Sequence, residues 1–456
     1  LPRLLTIAAY LAYYIRSQHT MEKGRIPMER RAFVKTLAAS LATVGVLAEV
    51  ARAFADQLEA LQTDIQTLST EQALWKRVRQ EFLLNPGLVH LNCGSAGATP
   101  RMVIDAVSAY MRQFEGDPVH HSFGSRDEVA AKAAEFLNAA ADEIAVTRNT
   151  TEGMNMIAEG LDLQAGDQIL TSNHEHGGGM ICWQHLARSR GIEVVYLPLP
   201  DPVESKEQIL QLVKDHLSDR TRVCSFMHID TITGLCMPLA DIAAITRPRD
   251  ILLVADGAQG PGMLDVDVRA LGVDAYPSSS HKWLLAPKGS GLLYVRRDVQ
   301  DRIRPVDMYS GYGRPGYSAS GGTRNVPIVL GHGLAMDFHN AIGRGRIEQR
   351  CRQLSNRMRQ RLGQLPQLRL LTPQQAELSS GIVSVALEKG SSSEIAARLY
   401  KEHDIVVKVP QGTYAFAPQK DVARKNYNGL RFSTHIFNSE DDIDRTVDLI
   451  DAMLRT

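Results

Sequence analysis

The stretch SSSHKWLLAPKG, residues 278–289, places a lysine where its amine could become reactive. Lys282 follows His281 and precedes the apolar side chains Trp283 and Leu284. Apolar surroundings disfavour the charged form of an ammonium group and so favour the nucleophilic free amine. Such an amine forms a Schiff base with an aldehyde. The stretch therefore predicts covalent chemistry between Lys282 and a carbonyl compound.

Two further clusters suit one particular aldehyde, pyridoxal phosphate. Its pyridine nitrogen needs a carboxylate that keeps it protonated, and Asp256 at the end of ILLVAD (251–256) is the candidate. Its phosphate needs backbone amides and hydroxyls at the start of a helix, which RNTTEGMNM (148–156) offers with Thr150 and Thr151. Each feature alone has an ordinary structural explanation, such as a helix cap or a solvated lysine. Together they predict a pyridoxal phosphate site.

Seven strand-like runs, separated mostly by amphipathic helical stretches, must position these residues. The runs are 143–149, 168–173, 193–199, 222–229, 251–256, 274–279 and 291–297. This alternation is typical of a mostly parallel sheet that is covered by helices on both faces. Such sheets bind ligands at the carboxyl ends of their strands. His228, Asp230 and the run NHEHGGG (173–179) also follow strand-like runs, so we expect them near Lys282 and Asp256.

A smaller α+β domain is predicted to follow the sheet. The run 346–365 carries one apolar stripe at helical spacing, formed by Ile347, Cys351, Leu354, Met358 and Leu362. Strand-like runs at 381–387, 404–409 and 429–434 and a final helix from about residue 439 come after it. We therefore expect a segment at 56–90 that packs on the small domain, a large domain at 91–335 and a small domain at 336–456.

Composition excludes several classes of partner. The 456 residues include 51 Lys+Arg and 51 Asp+Glu, so the formal net charge is zero and no basic field exists to hold nucleic acid. The five cysteines form no C-x-x-C pair, so neither a metal site nor a disulfide framework is indicated. A small amino-acid or peptide substrate fits this balance better.

The N-terminal region has the pattern of an export signal. MERRAFVKTLAASLATVGVLAEVARAFADQ, residues 28–57, begins with Arg30 and Arg31 and continues as a weakly apolar run. It resembles a signal for the twin-arginine translocation machinery, and the small residues at 53 and 55 suit a signal peptidase. We expect a mature chain that begins near Asp56 in the periplasm. The alternative interpretation is an ordinary amphipathic first helix.

Residues 1–27 fit neither interpretation. Together with the signal that follows them, they make up a predicted leader and signal peptide at 1–55. Their apolar run LLTIAAYLAYYI is too short to span a bilayer. We expect translation to start at Met21 or Met28.

From about residue 88 to the C-terminus, a set of motifs resembles the class V aminotransferase family. The motifs are VHLNCGSAGATPRMV (89–103), NTTEGMN (149–155), EHGGGMICW (175–183), VADGAQG (254–260), SSSHKW (278–283), GGTRNVP (321–327) and LRFSTHIFNSEDDIDR (430–445). The resemblance implies a fold type I pyridoxal phosphate enzyme with a mostly parallel seven-stranded sheet and a small C-terminal α+β domain. The sequence is most similar in character to the isopenicillin N epimerase-like branch.

The same resemblance implies a role for each matching residue. Lys282 would carry the cofactor as a Schiff base and later move the α-proton of the substrate, Asp256 would pair with the pyridine nitrogen, and His176 would stack on the ring. Gln259 would contact the ring oxygen. The remaining cofactor contacts would be Thr150, Thr151, Ser279 and His281 of the same chain and Thr323 of a second subunit, which implies a homodimer. Arg431, with Asn92, would bind the substrate carboxylate.

Two departures from the family pattern leave the reaction open. The run VVKVPQGTYAFAP (406–418) has no cysteine where cysteine desulfurases carry their nucleophile, which disfavours persulfide chemistry. HIDTITG (228–234) has Asp230 and Thr231 in place of the usual Ser-Asn. Transamination, epimerisation and elimination therefore all remain possible. The alternatives are a periplasmic siderophore-tailoring enzyme of the pyoverdine type and a desulfurase or C–S lyase, while a sensor without catalysis is disfavoured by the intact lysine, aspartate and phosphate loop.

Overall fold

The computed structural model of the chain describes residues 30–118, 126–304, 324–410 and 427–455. Within these ranges the strands, in chain order, are β1 (Val89–His90), β2 (Ile144–Thr147), β3 (Gln168–Ser172), β4 (Glu193–Leu197), β5 (Thr221–Met227), β6 (Leu252–Asp256), β7 (Ala275–Ser279), β8 (Gly291–Val295), β9 (Leu368–Leu370), β10 (Ile382–Leu387), β11 (Ile405–Val406) and β12 (Gly429–Ser433). Six of the seven strand-like runs predicted for the large domain contain one of these strands, and the run 222–229 overlaps β5, which begins one residue earlier.

The α-helices described are α1 (Arg30–Thr67), α2 (Glu71–Arg79), α3 (Arg101–Phe114), α4 (Arg126–Leu137), α5 (Thr150–Gly160), α6 (Gly177–Arg190), α7 (Lys206–His216), α8 (Leu239–Thr246), α9 (Val268–Leu271), α10 (Val326–Ile342), α11 (Arg344–Leu362), α12 (Ser392–His403) and α13 (Glu440–Arg455). Short polar side chains begin several of them. Asn149, for example, caps α5 by accepting a hydrogen bond from the Glu152 amide at 2.9 Å.

The main sheet has seven strands in the order β2-β8-β7-β6-β5-β3-β4. The pairs from β7 through β6, β5 and β3 to β4 are parallel, and only β8 runs antiparallel to its two neighbours. The predicted mostly parallel seven-stranded sheet is thereby confirmed. The carboxyl ends of β2, β3, β5, β6 and β7 consequently lie along one edge, where ligands of such sheets bind.

Hydrophobic side chains cover both faces of this sheet. Strands β2, β3, β6, β7 and β8 are buried at every position. One apolar cluster joins the sheet to α4, α7 and α8, and a second joins it to α5 and α6. Burial on both faces explains why these strands read as continuous apolar runs rather than as alternating ones.

The C-terminal part is built around a three-stranded antiparallel sheet, β12-β10-β9. Its core also contains the predicted stripe of α11, since Leu354, Met358 and Leu362 are fully buried against it. The short parallel pair of β1 and β11 brings Val89 and Leu91 into the same core. This pairing sets the loop that follows β1 beside β12, which becomes important for the site.

Two of the predicted domain boundaries fall inside helices. Position 55/56 lies within α1 and position 335/336 lies within α10. Contacts group Arg52–Thr456 into one compact unit. Within the described ranges, no helix combines the length and the apolar character that crossing a membrane requires.

Candidate active site

Lys282 lies in the tight turn that follows β7, and the loop after β1 presses against this turn. The Gly97 amide donates to the His281 carbonyl at 2.9 Å, and Cys93 Sγ lies 3.6 Å from the Lys282 carbonyl oxygen. A Cβ atom on Gly97 would lie 2.0 Å from that same oxygen, so only glycine allows the approach. The backbone around Lys282 is therefore held in place by the loop that contains Cys93, a residue 189 positions earlier in the sequence.

Burial of the Lys282 side chain lowers the pKa of its amine from 10.5 to about 8. The negative charge of Asp256 opposes this effect, while the positive charge of Arg431 adds to it. A substantial fraction of the amine is therefore neutral near physiological pH. The sequence-based expectation of an amine with a disfavoured charge agrees with this environment.

Asp256 ends β6 at the sheet edge and is buried. Its Oδ1 accepts a hydrogen bond from the Ala258 amide at 2.9 Å. Burial raises the pKa of this carboxyl, while the Ala258 amide and Lys282 lower it. A Cβ atom on Gly179 would lie 2.6 Å from Asp256 Oδ2, so the glycines of NHEHGGG let the start of α6 approach the carboxylate.

A tyrosine and a histidine support the turn after Asp256. The His228 amide donates to the Asp256 carbonyl at 2.8 Å, and Tyr276 Oη lies 2.7 Å from His228 Nδ1. Burial lowers the pKa of His228 to about 4, so its ring is neutral, and its Nδ1 can accept a hydrogen bond from the Tyr276 hydroxyl. Cβ atoms on Gly257 and Gly260 would each lie 2.1 Å from Tyr276. Sequence reasoning missed Tyr276, because a tyrosine within a buried strand carries no separate signal.

Hydroxyl groups and backbone amides converge where β7 meets the start of α5. Ser279 Oγ accepts a hydrogen bond from the Thr150 amide at 3.0 Å and lies 2.8 Å from Thr150 Oγ1. Three buried polar atoms close by in sequence have no hydrogen-bond partner among the described residues: Ser278 Oγ, Ser280 Oγ and His281 Nδ1. Burial, aided by Lys282 and Lys288, lowers the pKa of His281 to about 4.

These groups fit a phosphate. A helix start supplies amides and a favourable dipole, and buried hydroxyls without partners supply further donors. Thr151 faces the same region from the other side, since a Cβ atom on Gly178 would lie 2.5 Å from its Oγ1. The arrangement brings the predicted residues Thr150, Thr151 and Ser279 together. Thr323 lies outside the described residues, and its role stays a prediction.

His176 caps the start of α6 and is partly open to solvent. Its Nδ1 accepts a hydrogen bond from the Gly178 amide at 3.0 Å, so the neutral ring carries its proton on Nε2. Partial burial and repulsion from Lys282, Arg431 and Lys408 lower the pKa of His176 to about 4. An uncharged ring near these cations suits the stacking role implied for His176.

Arg431 on β12 reaches into the same cleft and is buried. Its Nη1 donates to Thr231 O at 2.9 Å and to Thr231 Oγ1 at 3.0 Å. Its Nη2 donates to Asn92 Oδ1 at 2.6 Å and to Ser95 Oγ at 2.9 Å. The predicted pair of Arg431 and Asn92 is therefore in direct contact, and Ser95 and Thr231 complete the group.

Gln259 is tied to both Trp283 and Thr231. Trp283 Nε1 donates to Gln259 Oε1 at 2.6 Å. Gln259 Nε2 donates to Gly94 O and to Thr231 Oγ1, each at 3.0 Å. Gln259 thus links the lysine turn to the residues around Arg431, and its predicted contact with the ring oxygen stays a prediction.

The two residues that depart from the family pattern have different surroundings. Asp230 accepts hydrogen bonds from the amides of Ile232 at 2.9 Å and Thr233 at 3.0 Å, and its Oδ2 lies 3.2 Å from His174 Nδ1. It holds the turn after β5. Thr231 instead belongs to the cleft through Arg431 and Gln259.

The cleft therefore combines a lysine of lowered pKa, a buried carboxylate and a cradle for a phosphate at one edge of a mostly parallel sheet. Residues 90–446 match the sequence profile of the family described as Aminotransferase class-V, and the chain belongs to this family.

Isopenicillin N epimerase of Streptomyces clavuligerus is 30% identical over 402 residues, which cover 83% of this chain and 98% of that protein. The apo structure of cysteine desulfurase from Thermococcus onnurineus NA1 is similar with a TM-score of 0.72 and 23% identity, covering 83% of this chain and 98% of that one. The structure of a C-DES mutant with glycine covalently linked to its PLP cofactor is similar with a TM-score of 0.71 and 24% sequence identity. The match covers 82% of this chain and 98% of that one.

The protein is thus a class V pyridoxal phosphate-dependent enzyme with a fold type I architecture. The donor set described above fits this cofactor. Thr150 and Ser279 offer buried hydroxyls at the start of α5, His281 offers a ring nitrogen without a partner among the described residues, and Asp256 offers a carboxylate for the ring nitrogen.

Proposed function

We propose that the enzyme moves the α-proton of an amino acid, free or within a peptide, and that its overall reaction is epimerisation. One observation carries this proposal: Lys282 is buried at the edge of the sheet, and burial together with the charge of Arg431 lowers the pKa of its amine to about 8 against the opposing charge of Asp256. An amine with a pKa near the working pH takes and returns a proton efficiently. The identity of 30% with isopenicillin N epimerase supports epimerisation over the other outcomes.

Bound pyridoxal phosphate withdraws electrons from the substrate and thereby weakens the bonds at Cα. Asp256 would hold a proton at the ring nitrogen, and Thr150, Thr151, Ser279 and His281 would bind the phosphate. Arg431 and Asn92 would orient the substrate by its carboxylate. Lys282 Nζ would then take the proton from Cα, and epimerisation requires that a proton be returned to the opposite face of Cα. His176 would cover the ring and limit access of water.

The cysteines support this proposal against persulfide chemistry. Cys93, Cys182, Cys224 and Cys351 are buried, and Cys236 is only partly exposed. Burial raises the pKa of Cys182, Cys224 and Cys351 to about 12 and that of Cys236 to about 11. The attacking species in a desulfurase must be a thiolate, which these environments disfavour. A C–S lyase that needs no cysteine nucleophile stays an alternative, as does transamination.

We also propose that the chain is exported by the twin-arginine machinery and works in the periplasm. The paired Arg30 and Arg31 and the A-x-A site before Asp56 support this proposal. Because α1 continues through the expected cleavage site, processing there requires local unfolding of the helix. Mass spectrometry of periplasmic protein tests it: a chain that begins near Asp56 supports export, and an uncut cytoplasmic chain contradicts it.

The active unit is proposed to be a homodimer in which Thr323 completes the site of the partner. Subunit mixing tests this arrangement. Lys282→Ala and Thr323→Val protomers, each impaired alone, should regain about one wild-type site per mixed dimer. No recovery on mixing, or a monomer by light scattering, contradicts the proposal.

The reaction itself is tested in heavy water. The cofactor-loaded enzyme is incubated with L- and D-amino acids and with peptides, and the products are analysed for deuterium at Cα, keto acid and sulfide. Deuterium in both enantiomers without keto acid supports epimerisation. Stoichiometric keto acid indicates transamination, released sulfide indicates C–S lyase activity, and no exchange with any compound contradicts the proposed function.

A further inference from the structure

Lys408 is the outermost member of a row of side chains that faces the cleft. It pairs with Arg431 in an antiparallel bridge, in which the Lys408 amide donates to Arg431 O at 3.1 Å and the Arg431 amide to Lys408 O at 2.7 Å. Arg431 in turn pairs with Ser384 on its other side. Directly paired residues project their side chains to the same face of a sheet. Lys408, Arg431 and Ser384 therefore share one face.

This face is turned toward the loop after β5. Ser384 Oγ donates to the carbonyl of Ile232, and Arg431 Nη1 donates to the carbonyl of Thr231. The inner two members of the row are buried, while Lys408 is exposed. The row thus runs from the buried base of the cleft to its mouth, with a cation at the outer end.

The charge of Lys408 acts within the cleft. Together with Lys282 and Arg431 it repels a proton from His176, the residue at the start of α6. Lys408 makes no ion pair with any described residue. It is therefore a cation beside the reaction site for which the described part of the chain provides no counter-charge.

The other anions of the reaction already have their own binding groups. The phosphate of the cofactor fits the hydroxyls and amides at the start of α5, on the side of the seven-stranded sheet. In the proposed function the α-carboxylate of the substrate binds to Arg431, whose planar guanidinium suits bidentate binding and would exchange some of its four described hydrogen bonds for the carboxylate oxygens. Lys408 lies beside Arg431 and closer to solvent. It is therefore available to bind a group of the substrate beyond Cα.

We propose that Lys408 determines substrate specificity by binding a second anionic group, so that the substrate is an amino acid or peptide with an acidic side chain. This inference rests on the proposed function, because it assumes that Arg431 takes the α-carboxylate. Lys408 is a flexible point charge and tolerates acidic side chains of more than one length.

Isosteric pairs of ligands test the inference with the full, cofactor-loaded protein. Dissociation constants are measured from the visible absorbance for glutamate against glutamine and for aspartate against asparagine, in both enantiomers. The wild type should bind at least one acid about two- to fivefold more tightly than its amide at low salt, the ratio expected of one accessible ion pair. The ratio should fall at high salt, because salt screens the pair.

Variants then assign the preference to one residue. Lys408→Met should bring the ratio of acid to amide affinity to about one, and Lys408→Arg should retain the preference. Lys401→Met, which removes an exposed lysine from α12, is the matched control and should leave the wild-type ratio. Equal binding of acid and amide by the wild type, or a preference that persists in Lys408→Met, overturns the inference. Failure of the proposed function appears differently, as the absence of α-deuteration with every amino acid.

Discussion

Trp283 donates a hydrogen bond from its indole nitrogen to Gln259 Oε1 at 2.6 Å. This contact fixes which end of the Gln259 amide faces which neighbour. Both hydrogens on Nε2 then point to acceptors, Gly94 O and Thr231 Oγ1. The residue that follows the reactive lysine is thereby connected through one buried amide to Thr231, which accepts a hydrogen bond from Arg431.

The first prediction concerns the stability of this network. Trp283→Phe keeps most of the buried ring but removes its only donor, so Gln259 Oε1 loses its partner. A buried acceptor without a donor costs about 1–3 kcal/mol of unfolding free energy. Chemical unfolding of Trp283→Phe, Gln259→Leu and the double variant measures the coupling between the two side chains. Additive effects of the two substitutions would contradict the contact.

The second prediction concerns Lys282. Lys282→Ala removes the amine that is proposed to hold the cofactor covalently, so the visible absorption band of the yellow wild type should disappear. Exchange of the α-proton should fall by about 10²-fold or more, since Lys282 is the proposed acid and base. Absorbance spectra and deuterium incorporation are the two measurements.

Lys288→Ala is the control for this change. Lys288 lies six residues further along the same turn and donates to Gly97 O at 2.8 Å. This variant should keep the absorption band, because Lys288 Nζ is engaged with the loop after β1. A colourless wild type in the presence of excess cofactor, or a yellow Lys282→Ala, is incompatible with the assignment of Lys282.

Much of the fold and of the site could be predicted from the sequence. The strand-like runs were unambiguous because strands buried on both faces are apolar throughout. Asp256 and the turn of Lys282 could be placed together because parallel strands bring their carboxyl ends to one edge. Asp230 could have been recognised as a turn residue from DTITG, since aspartate before a glycine often binds the amides of its own turn.

The side-chain network was not predictable. The contact of Trp283 with Gln259 joins residues 24 positions apart, and that of Arg431 with Thr231 joins residues 200 apart. Such contacts depend on how layers pack, which a local pattern does not encode. The sequence indicated only that Trp283 is an apolar neighbour of Lys282. In the structure its indole nitrogen donates the hydrogen bond that orients Gln259.

The third prediction concerns Thr231 and the substrate carboxylate. Thr231→Val removes the hydroxyl that lies 3.0 Å from both Arg431 Nη1 and Gln259 Nε2. Arg431 should then bind a carboxylate in a less defined geometry, weakening affinity by about tenfold, or ~1.4 kcal/mol for a hydrogen bond to a charged group. Aminooxyacetate and methoxyamine measure this effect, since both react with the cofactor and only the first has a carboxylate.

The ratio of the affinity for aminooxyacetate to that for methoxyamine reports carboxylate binding alone, because general damage to the site would weaken both compounds. Thr246→Val, which removes a buried hydroxyl from α8, should leave this ratio at the wild-type value. Thr231→Ser should restore it, because the hydroxyl is retained. A ratio in Thr231→Val equal to that of the wild type contradicts the role of Thr231.

The fourth prediction concerns Glu175, a buried carboxyl that the proposed reaction does not use. Its Oε1 accepts hydrogen bonds from Ser172 Oγ at 2.7 Å and from the Met227 amide at 3.0 Å. Burial, together with repulsion from Asp256 and Asp230, raises the pKa of Glu175 from 4.5 to about 8. The folded protein therefore retains a proton that the unfolded chain releases, and stability falls as pH rises from about 4.5 to about 8.

Glu175→Gln should remove this pH dependence, because a neutral amide keeps the oxygen that Ser172 and Met227 contact. The variant should gain stability over the wild type progressively across this range, by up to a few kcal/mol (~1.4 per pKa unit) near pH 8. Unfolding by denaturant at a series of pH values measures the difference. Glu135→Gln, at an exposed position of α4, is the control and should follow the wild-type profile. A Glu175→Gln profile parallel to that of the wild type would show that Glu175 is ionised in the folded protein at neutral pH.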